Sequence, residues 1–314
     1  MINIFEVGPR DGLQNEKMIL SLEDRLWLVE SLARAGLRNI EVGAFVRADR
    51  VPQMHESDLL QEKLLAKTES DHSLVDSNFW YLVPNQKGLE RALAKKVKNI
   101  ALFTAVTETF NQKNIGMSVA DSFREMTAII AIAKREKLKV RGYLSTVWGC
   151  PFEGRVKAAQ ALPILEKMID LGVDQLSIGD TIGVANPKST EEVLKPLLQN
   201  HTSESDRLIA VHFHDTRGTA LANSLRALEL GVKTFDSSVG GLGGCPFAPG
   251  AAGNLATEDL LYLLKEMGQE TGVNYQRLCE TGMELSKRMK GKTFTSKALQ
   301  AFIANCTKNT AWDS

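Results

Sequence analysis

Eight short β-rich runs, each followed by a stretch of helical period, constrain the fold of this 314-residue chain more than any other feature. The runs fall at residues 2–7, 39–44, 79–83, 99–103, 139–145, 175–179, 208–214 and 234–238. Between them apolar residues recur at helical spacing. Capping patterns at Ser21-Leu22-Glu23-Asp24, Ser118-Val119-Ala120-Asp121 and Ser189-Thr190-Glu191-Glu192 predict helix starts. Gly36, Gly172 and Gly231 mark helix ends shortly before the next strand. Such alternation builds a parallel sheet, either doubly wound and open or closed into a barrel. Eight units favour the α/β class with a (β/α)8 TIM barrel, typically of about 250 residues. The lack of a Gly-x-Gly-x-x-Gly after the first run points the same way. The barrel is expected over residues 1–270. Helical stretches at 275–290 and 296–305 exceed the eight-fold plan. Residues 271–314 are therefore expected as additional helices packed on the barrel within the same domain, capping one end or forming a dimer contact.

Charge and cysteine usage narrow the function classes. Lys plus Arg and Asp plus Glu number 38 each, which speaks against a nucleic-acid coat or a membrane-surface role. No apolar run has the length of a bilayer span, and the first residues read as a strand rather than a signal peptide. Cys150, Cys245, Cys279 and Cys306 are widely spaced without a Cys-x-x-Cys, so zinc ribbons and redox motifs are not expected. A reduced, cytoplasmic setting fits this usage.

In a barrel of this kind chemistry sits at the C-terminal ends of the strands and in the loops that follow. Arg10 and Asp11 come directly after the first run, as a tight turn holding an Asp–Arg pair or as part of a site. Glu41 stands amid apolar neighbours in the second run. A charge inside a parallel strand is expensive unless paired, and Arg10 is the candidate partner across the barrel. Asp180 ends the sixth run, as an active-site acid or as the cap of a turn. In the seventh run His212 and His214, at i and i+2, share one face, opposite apolar Ile209, Val211 and Phe213. A single histidine there suits the core; a pair near the barrel mouth favours a metal site. The stretch 240–254 is rich in glycine, which lets backbone approach a ligand closely, and it carries Cys245 and Asn254. One nucleophile or acid and one oxygen ligand suit a lid better than a linker. Asp11, His212, His214 and Asn254 would make a mixed N/O ligand set without thiolate. That set favours octahedral Mg²⁺ or Mn²⁺ over tetrahedral zinc, with zinc or cobalt left open by the imidazoles.

The segments Glu6-Val7-Gly8-Pro9-Arg10-Asp11-Gly12-Leu13-Gln14-Asn15-Glu16, Gly179-Asp180-Thr181-Ile182-Gly183 and His212-Phe213-His214-Asp215-Thr216, together with the glycine stretch, resemble the hydroxymethylglutaryl-CoA lyase family. Shorter matches lie at Val51-Pro52-Gln53-Met54, Val83-Pro84-Asn85 and Gly149-Cys150-Pro151-Phe152-Glu153-Gly154, so the similarity runs along nearly the whole chain. The family belongs to a metal-dependent, pyruvate carboxyltransferase-like barrel superfamily that also holds isopropylmalate and homocitrate synthases. The resemblance implies Asp11, His212, His214 and Asn254 as divalent-metal ligands and Arg10 as the group that stabilises the enolate oxygen of the departing acetyl-CoA. It implies Cys245 as the loop cysteine needed for catalysis, and Glu41 and Asp180 as supporting acids. The implied reaction is a retro-Claisen cleavage of 3-hydroxy-3-methylglutaryl-CoA to acetyl-CoA and acetoacetate, with His212 or Asp180 as base. An acyl-CoA thioester substrate and a homodimer are implied with it.

Two departures bear on the acyl group. Where the family usually carries Ser-Phe-Val-Ser-Pro-Lys, this chain has Ala44-Phe45-Val46-Arg47-Ala48-Asp49, and the usual aromatic after His-Asp-Thr is Arg217. A related lyase acting on another 3-hydroxyacyl-CoA is therefore an alternative, with Arg47 and Arg217 otherwise solvated rim residues. A Claisen condensing enzyme of the same superfamily is a second alternative, opposed by the Gly-Gly-Cys-Pro loop. A non-catalytic CoA- or metal-binding barrel is a third. The basic residues Arg277, Lys287, Arg288, Lys290 and Lys292 offer either CoA-phosphate contacts or a solvated helix face.

Overall fold

Strands covered on both faces must be apolar almost throughout, and Asn99–Ala105, with Ile100, Ala101 and Leu102 buried, is of that kind. The computed structural model, which describes residues 1–201, 208–243 and 253–308, sets eight parallel strands in a closed barrel. They are β1 (Asn3–Glu6), β2 (Asn39–Ala44), β3 (Asn78–Leu82), β4 (Asn99–Ala105), β5 (Lys139–Ser145), β6 (Gln175–Asp180), β7 (Ile209–Phe213) and β8 (Thr234–Ser237). Every predicted run is a strand. The barrel closes between β1 and β8, with Phe5 opposite Asp236. Around it lie α1 (Leu22–Arg34), α2 (Ser57–Thr68), α3 (Gln86–Ala94), α4 (Glu108–Ile115), α5 (Val119–Arg135), α6 (Ala158–Asp170), α7 (Pro187–Asn200), α8 (Ala220–Glu229) and α9 (Thr257–Glu266). None of the described helices is long and apolar enough to cross a membrane.

Ser21 and Ser118 cap α1 and α5 as expected, accepting from the backbone N–H of Asp24 and Asp121. The third cap differs. Asn186 Oδ1 accepts from Ser189 N at 3.1 Å while Ser189 Oγ accepts from Asn186 N at 3.0 Å, so Ser189 is the reciprocating member of a capping box. Pro187 then takes the first helical position, where its fixed φ and missing N–H cost nothing. Gly36 ends α1 with φ 101°, and a Cβ there would lie 2.5 Å from Gly272 O.

The apolar core lies between sheet and helices. Leu28, Val29 and Leu32 of α1 join Ile40 and Val42 of β2 in one buried cluster, each such side chain contributing about 1.5–3 kcal/mol on burial. Inside the barrel the filling is different. Phe5 and Trp80 plug it with ring centroids 5.5 Å apart, and next to them lie the buried charges Glu41, Arg141 and Asp236.

The later helices α10 (Tyr275–Arg288) and α11 (Lys297–Lys308) pack on α9, and α10 also meets α1. The segment between them reaches the turn that follows β8. Gly240 there has φ 65°, and a Cβ would lie 2.6 Å from the Phe294 ring. Its carbonyl accepts from Thr295 N at 3.2 Å. Two buried carboxylates hold the same turn. Glu6 accepts from Gly8 N and Val239 N at 2.8 and 2.9 Å and from Thr257 Oγ1 at 2.6 Å. Glu258, in the first turn of α9, receives Gly240 N on both oxygens at 3.0 and 2.8 Å.

Burial pushes Glu6 up to about 7 and Glu258 up to about 8. The folded chain thus keeps protons that the unfolded chain releases above the ordinary glutamate value of 4.5. This contribution to stability is complete below that value and is lost as pH rises through the folded pKa. In urea unfolding followed between pH 4.5 and about 8, the Glu258→Gln chain is expected to lose less stability with rising pH than the parent. Parallel pH profiles would refute the assignment.

Candidate active site

β1 runs directly into a π-helical turn, Gly8–Gly12, in which Pro9 sets the entry and Gly8 and Gly12 pack tightly. A Cβ on Gly8 would lie 2.6 Å from Glu6 Oε1, and one on Gly12 would lie 2.8 Å from Ser238 Oγ. Single π turns of this kind recur at functional sites. Here the turn lifts Arg10 and Asp11 over the barrel mouth. Arg10 Nη2 meets Glu41 Oε2 at 2.6 Å, and Arg10 Nη1 meets Asp11 Oδ1 at 2.8 Å. Glu41 stands where β2 shifts register against β3, between Glu41 and Gly43, an irregularity that re-aims a side chain. The cross-barrel partnership of Arg10 and Glu41 is thus present. Burial works against charge on Arg10, but Glu41 and Asp11 outweigh it and raise its pKa.

On the far side His212 and His214 lie with ring centroids 5.2 Å apart. His214 is bridged to Asn254 at the end of the glycine stretch. Asn254 Nδ2 donates to Asp11 Oδ2 at 2.9 Å and to Leu242 O at 3.1 Å. Ligand atoms of Asp11, His212 and His214 all fall within 4.8 Å of one another, the spacing of a metal cluster. Several observations test whether these residues suit a divalent ion. Asn254 Oδ1 and His214 Nδ1 are buried acceptors with no partner. Burial and the neighbouring His212 lower His214 to about 4, leaving a neutral imidazole. Burial opposes ionisation of Asp11, yet Arg10 and the two imidazoles hold it at about 2. Metal ligands have to be deprotonated, and all of these are. The surrounding buried charges are Arg10 and Arg141 against Asp11, Glu41 and Asp236. They leave one uncompensated negative charge at the mouth, and the donor set fits a divalent cation.

The mouth opens into a cavity of about 690 Å³ lined by Arg10, Asp11, Tyr143, His212, His214 and Arg50 among others. Asp180 is placed elsewhere. Its carboxylate is fully buried in the turn after β6, where its oxygens accept from Val184 N and Ala185 N at 2.9 and 3.0 Å. Burial raises it to about 6 against those hydrogen bonds. Cys245 lies outside the described residues.

The residues flagged as departures have partners. Arg217 Nη1 donates to Ile182 O at 2.7 Å and Gly183 O at 3.1 Å, pinning the loop after β6. Arg47 pairs with Asp49 at 2.7 Å on the exposed rim. Among the late basic residues, Arg288 meets Asp24 at 2.6 Å and Lys292 meets Glu16 at 2.5 Å.

The structure adds residues that the sequence reading did not single out. Arg141 and Asp236 form a wholly buried pair at 2.5 Å. Arg141 Nη1 also donates to Tyr143 Oη at 2.9 Å, and Tyr143 Oη donates to Glu41 Oε2 at 3.2 Å. The signal that drew attention to Glu41, a charge set in a parallel strand, was equally present at both positions.

Comparison with known proteins places this arrangement. The family model described as HMGL-like matches residues 1–284. The mitochondrial hydroxymethylglutaryl-CoA lyase of Homo sapiens is 43% identical over 300 residues, covering 96% of this chain and 89% of that one. The HMG-CoA lyase of Bacillus subtilis superposes with a TM-score of 0.90 at 40% identity, over 96% of this chain and 98% of that one. An HMG-CoA lyase from Acinetobacter baumannii, solved in complex with coenzyme A and 3-methylmalate, superposes with a TM-score of 0.87 at 32% identity, over 96% and 95% of the two chains. Matched in family, length and fold, the chain belongs to the HMGL-like family, that of the hydroxymethylglutaryl-CoA lyases.

Proposed function

We propose that this chain cleaves 3-hydroxy-3-methylglutaryl-CoA to acetyl-CoA and acetoacetate by a metal-assisted retro-Claisen reaction. The observation that carries the reading is the Asp11, His212 and His214 cluster facing the Glu41-held Arg10 across one cavity, in a chain so similar to these lyases. Asp11, His212, His214 and Asn254 would hold Mg²⁺ or Mn²⁺. An ion bound there makes a coordinated hydroxyl more acidic and orients it.

The remaining work falls to side chains. A base takes the proton from the substrate's 3-hydroxyl. Of the two candidates His212 lines the cavity, whereas both oxygens of Asp180 are engaged by the turn backbone. The bond between the second and third acyl carbons breaks, the third carbon becomes the ketone of acetoacetate, and the electron pair passes to the thioester oxygen. Arg10 is the fixed cation that meets this enolate. Because Glu41 and Asp11 hold its guanidinium, little reorganisation accompanies the charge shift. Cys245, as donor, returns a proton to the carbanion and completes acetyl-CoA. The partner pairing of Arg47 and Arg217 favours the methylglutaryl thioester over another 3-hydroxyacyl-CoA, since neither cation is left free to recognise a new acyl end. A homodimer and a reducing, cytoplasmic compartment complete the proposal; the free thiols Cys150, Cys279 and Cys306 suit such a compartment.

Chelation is expected to abolish cleavage, and Mg²⁺ or Mn²⁺ to restore it; activity that survives exhaustive chelation argues against the metal role. In steady-state assays Arg10→Met should lower kcat by about 10²- to 10³-fold, the loss typical of removing one oxyanion donor. Cys245→Ala should lose cleavage with its melting temperature unchanged. Full turnover in either variant, or condensation of acetyl-CoA with 2-oxo acids by the parent, would sink the assignment.

A further inference from the structure

His212 has a second neighbour that the proposed chemistry does not use. Its Nδ1 lies 3.2 Å from Asp236 Oδ2, and the two residues are register partners on adjacent strands, β7 and β8. Asp236 is itself held from three directions. Arg141 meets it with both terminal nitrogens, Nη2 on Oδ1 at 2.5 Å and Nη1 on Oδ2 at 3.1 Å, and Ser177 Oγ donates to Oδ2 at 2.8 Å. Arg141 is fixed in turn, wholly buried with its guanidinium 3.6 Å over the Phe5 ring. Every other contact to Oδ2 comes from a donor, so this oxygen can only accept, and the group facing it must carry a proton.

We infer that Asp236 is a positioning residue for His212: clamped by Arg141 and Ser177, it holds the imidazole with its proton on Nδ1 and its lone pair on Nε2, toward the cavity. Both roles proposed for His212, ligand and base, need that bare Nε2, so the inference rests on the proposed function for its purpose, though not for its geometry. A histidine whose outer nitrogen is tied to a carboxylate is a better ligand, and loss of such a partner typically lowers metal affinity by about 10- to 100-fold. The clamp also joins the two halves of the site. From Asp236 the hydrogen bonds continue through Arg141, Tyr143 and Glu41 to Arg10, so the group that orients His212 and the group that meets the enolate belong to one connected structure.

The test reads the tautomer first, in metal-free protein labelled with ¹⁵N at histidine. Long-range nitrogen–proton spectra of neutral His212, assigned with a His212→Gln variant, are expected to show the Nδ1–H form; a dominant Nε2–H form overturns the inference. In Asp236→Asn, Arg141 retains an oxygen at the Oδ1 position, and the amide NH₂ then faces Nδ1 as a donor. The tautomer should switch, and Mn²⁺ affinity, measured by electron paramagnetic resonance of the free ion, should fall by about 10- to 100-fold. If that variant fails to fold, Arg141→Met/Asp236→Asn removes the buried cation as well and should show the same loss. A folded variant with unchanged tautomer and unchanged Mn²⁺ affinity refutes the positioning role and leaves Asp236 a purely structural partner of Arg141. Parent protein that binds no Mn²⁺ but shows the Nδ1–H form overturns the metal reading while sustaining the orientation by Asp236.

Discussion

The structure depends on a barrel interior filled with paired charge. Arg141 and Asp236 meet at 2.5 Å with no exposure, and Arg10 and Glu41 meet at 2.6 Å just above them. Taking such groups out of water is costly, and removal of one partner from a buried pair typically destabilises by about 3–5 kcal/mol. A hydrophobic filling of equal volume would serve stability as well. What paired charge offers instead is fixed direction: each guanidinium is locked by two or more acceptors, and each carboxylate by two or more donors. The helices and the apolar layer outside the barrel hold the strands in register, and the register sets the charges opposite one another.

The mouth inherits this order. Arg10 and Asp11 are neighbours in sequence, yet the π turn gives them different company, one facing Glu41 and the other facing His212, His214 and Asn254. An ordinary helical or β turn would have kept one of them out of reach. The local irregularities of the barrel, this turn and the register shift in β2, fall where chemistry is placed, while the regular strands Asn99–Ala105 and Lys139–Ser145 do nothing at the mouth except support it.

Much of this was legible in the chain. The period-two and period-3.6 patterns located all the barrel strands, because strands covered on both faces leave long apolar runs that no loop tolerates. His212 and His214 were found by their spacing, and Glu41 by being out of place. Arg141 and Asp236 were passed over although the same argument applied to them, since neither has a sequence neighbour of opposite sign to suggest a pair; they are 95 positions apart. The cap of α7 was misplaced by three residues because Ser189 fits both ends of a capping box, and only the backbone geometry separates them. Asp180 illustrates a different limit. A carboxylate at a strand end can face a cavity or the backbone of its own turn, and no pattern in the residues distinguishes the two.

The turn after β8 is held by groups from opposite ends of the chain: Glu6 from the first strand, Glu258 from the ninth helix, and Phe294 and Thr295 from the segment between the last two helices. The same turn supplies Leu242 O to the amide of Asn254. A ribosome making this protein therefore releases every barrel strand, and both histidines, well before the parts that orient Asn254 exist. Competence at the mouth is the last property the nascent chain acquires, and it arrives in one docking event rather than strand by strand.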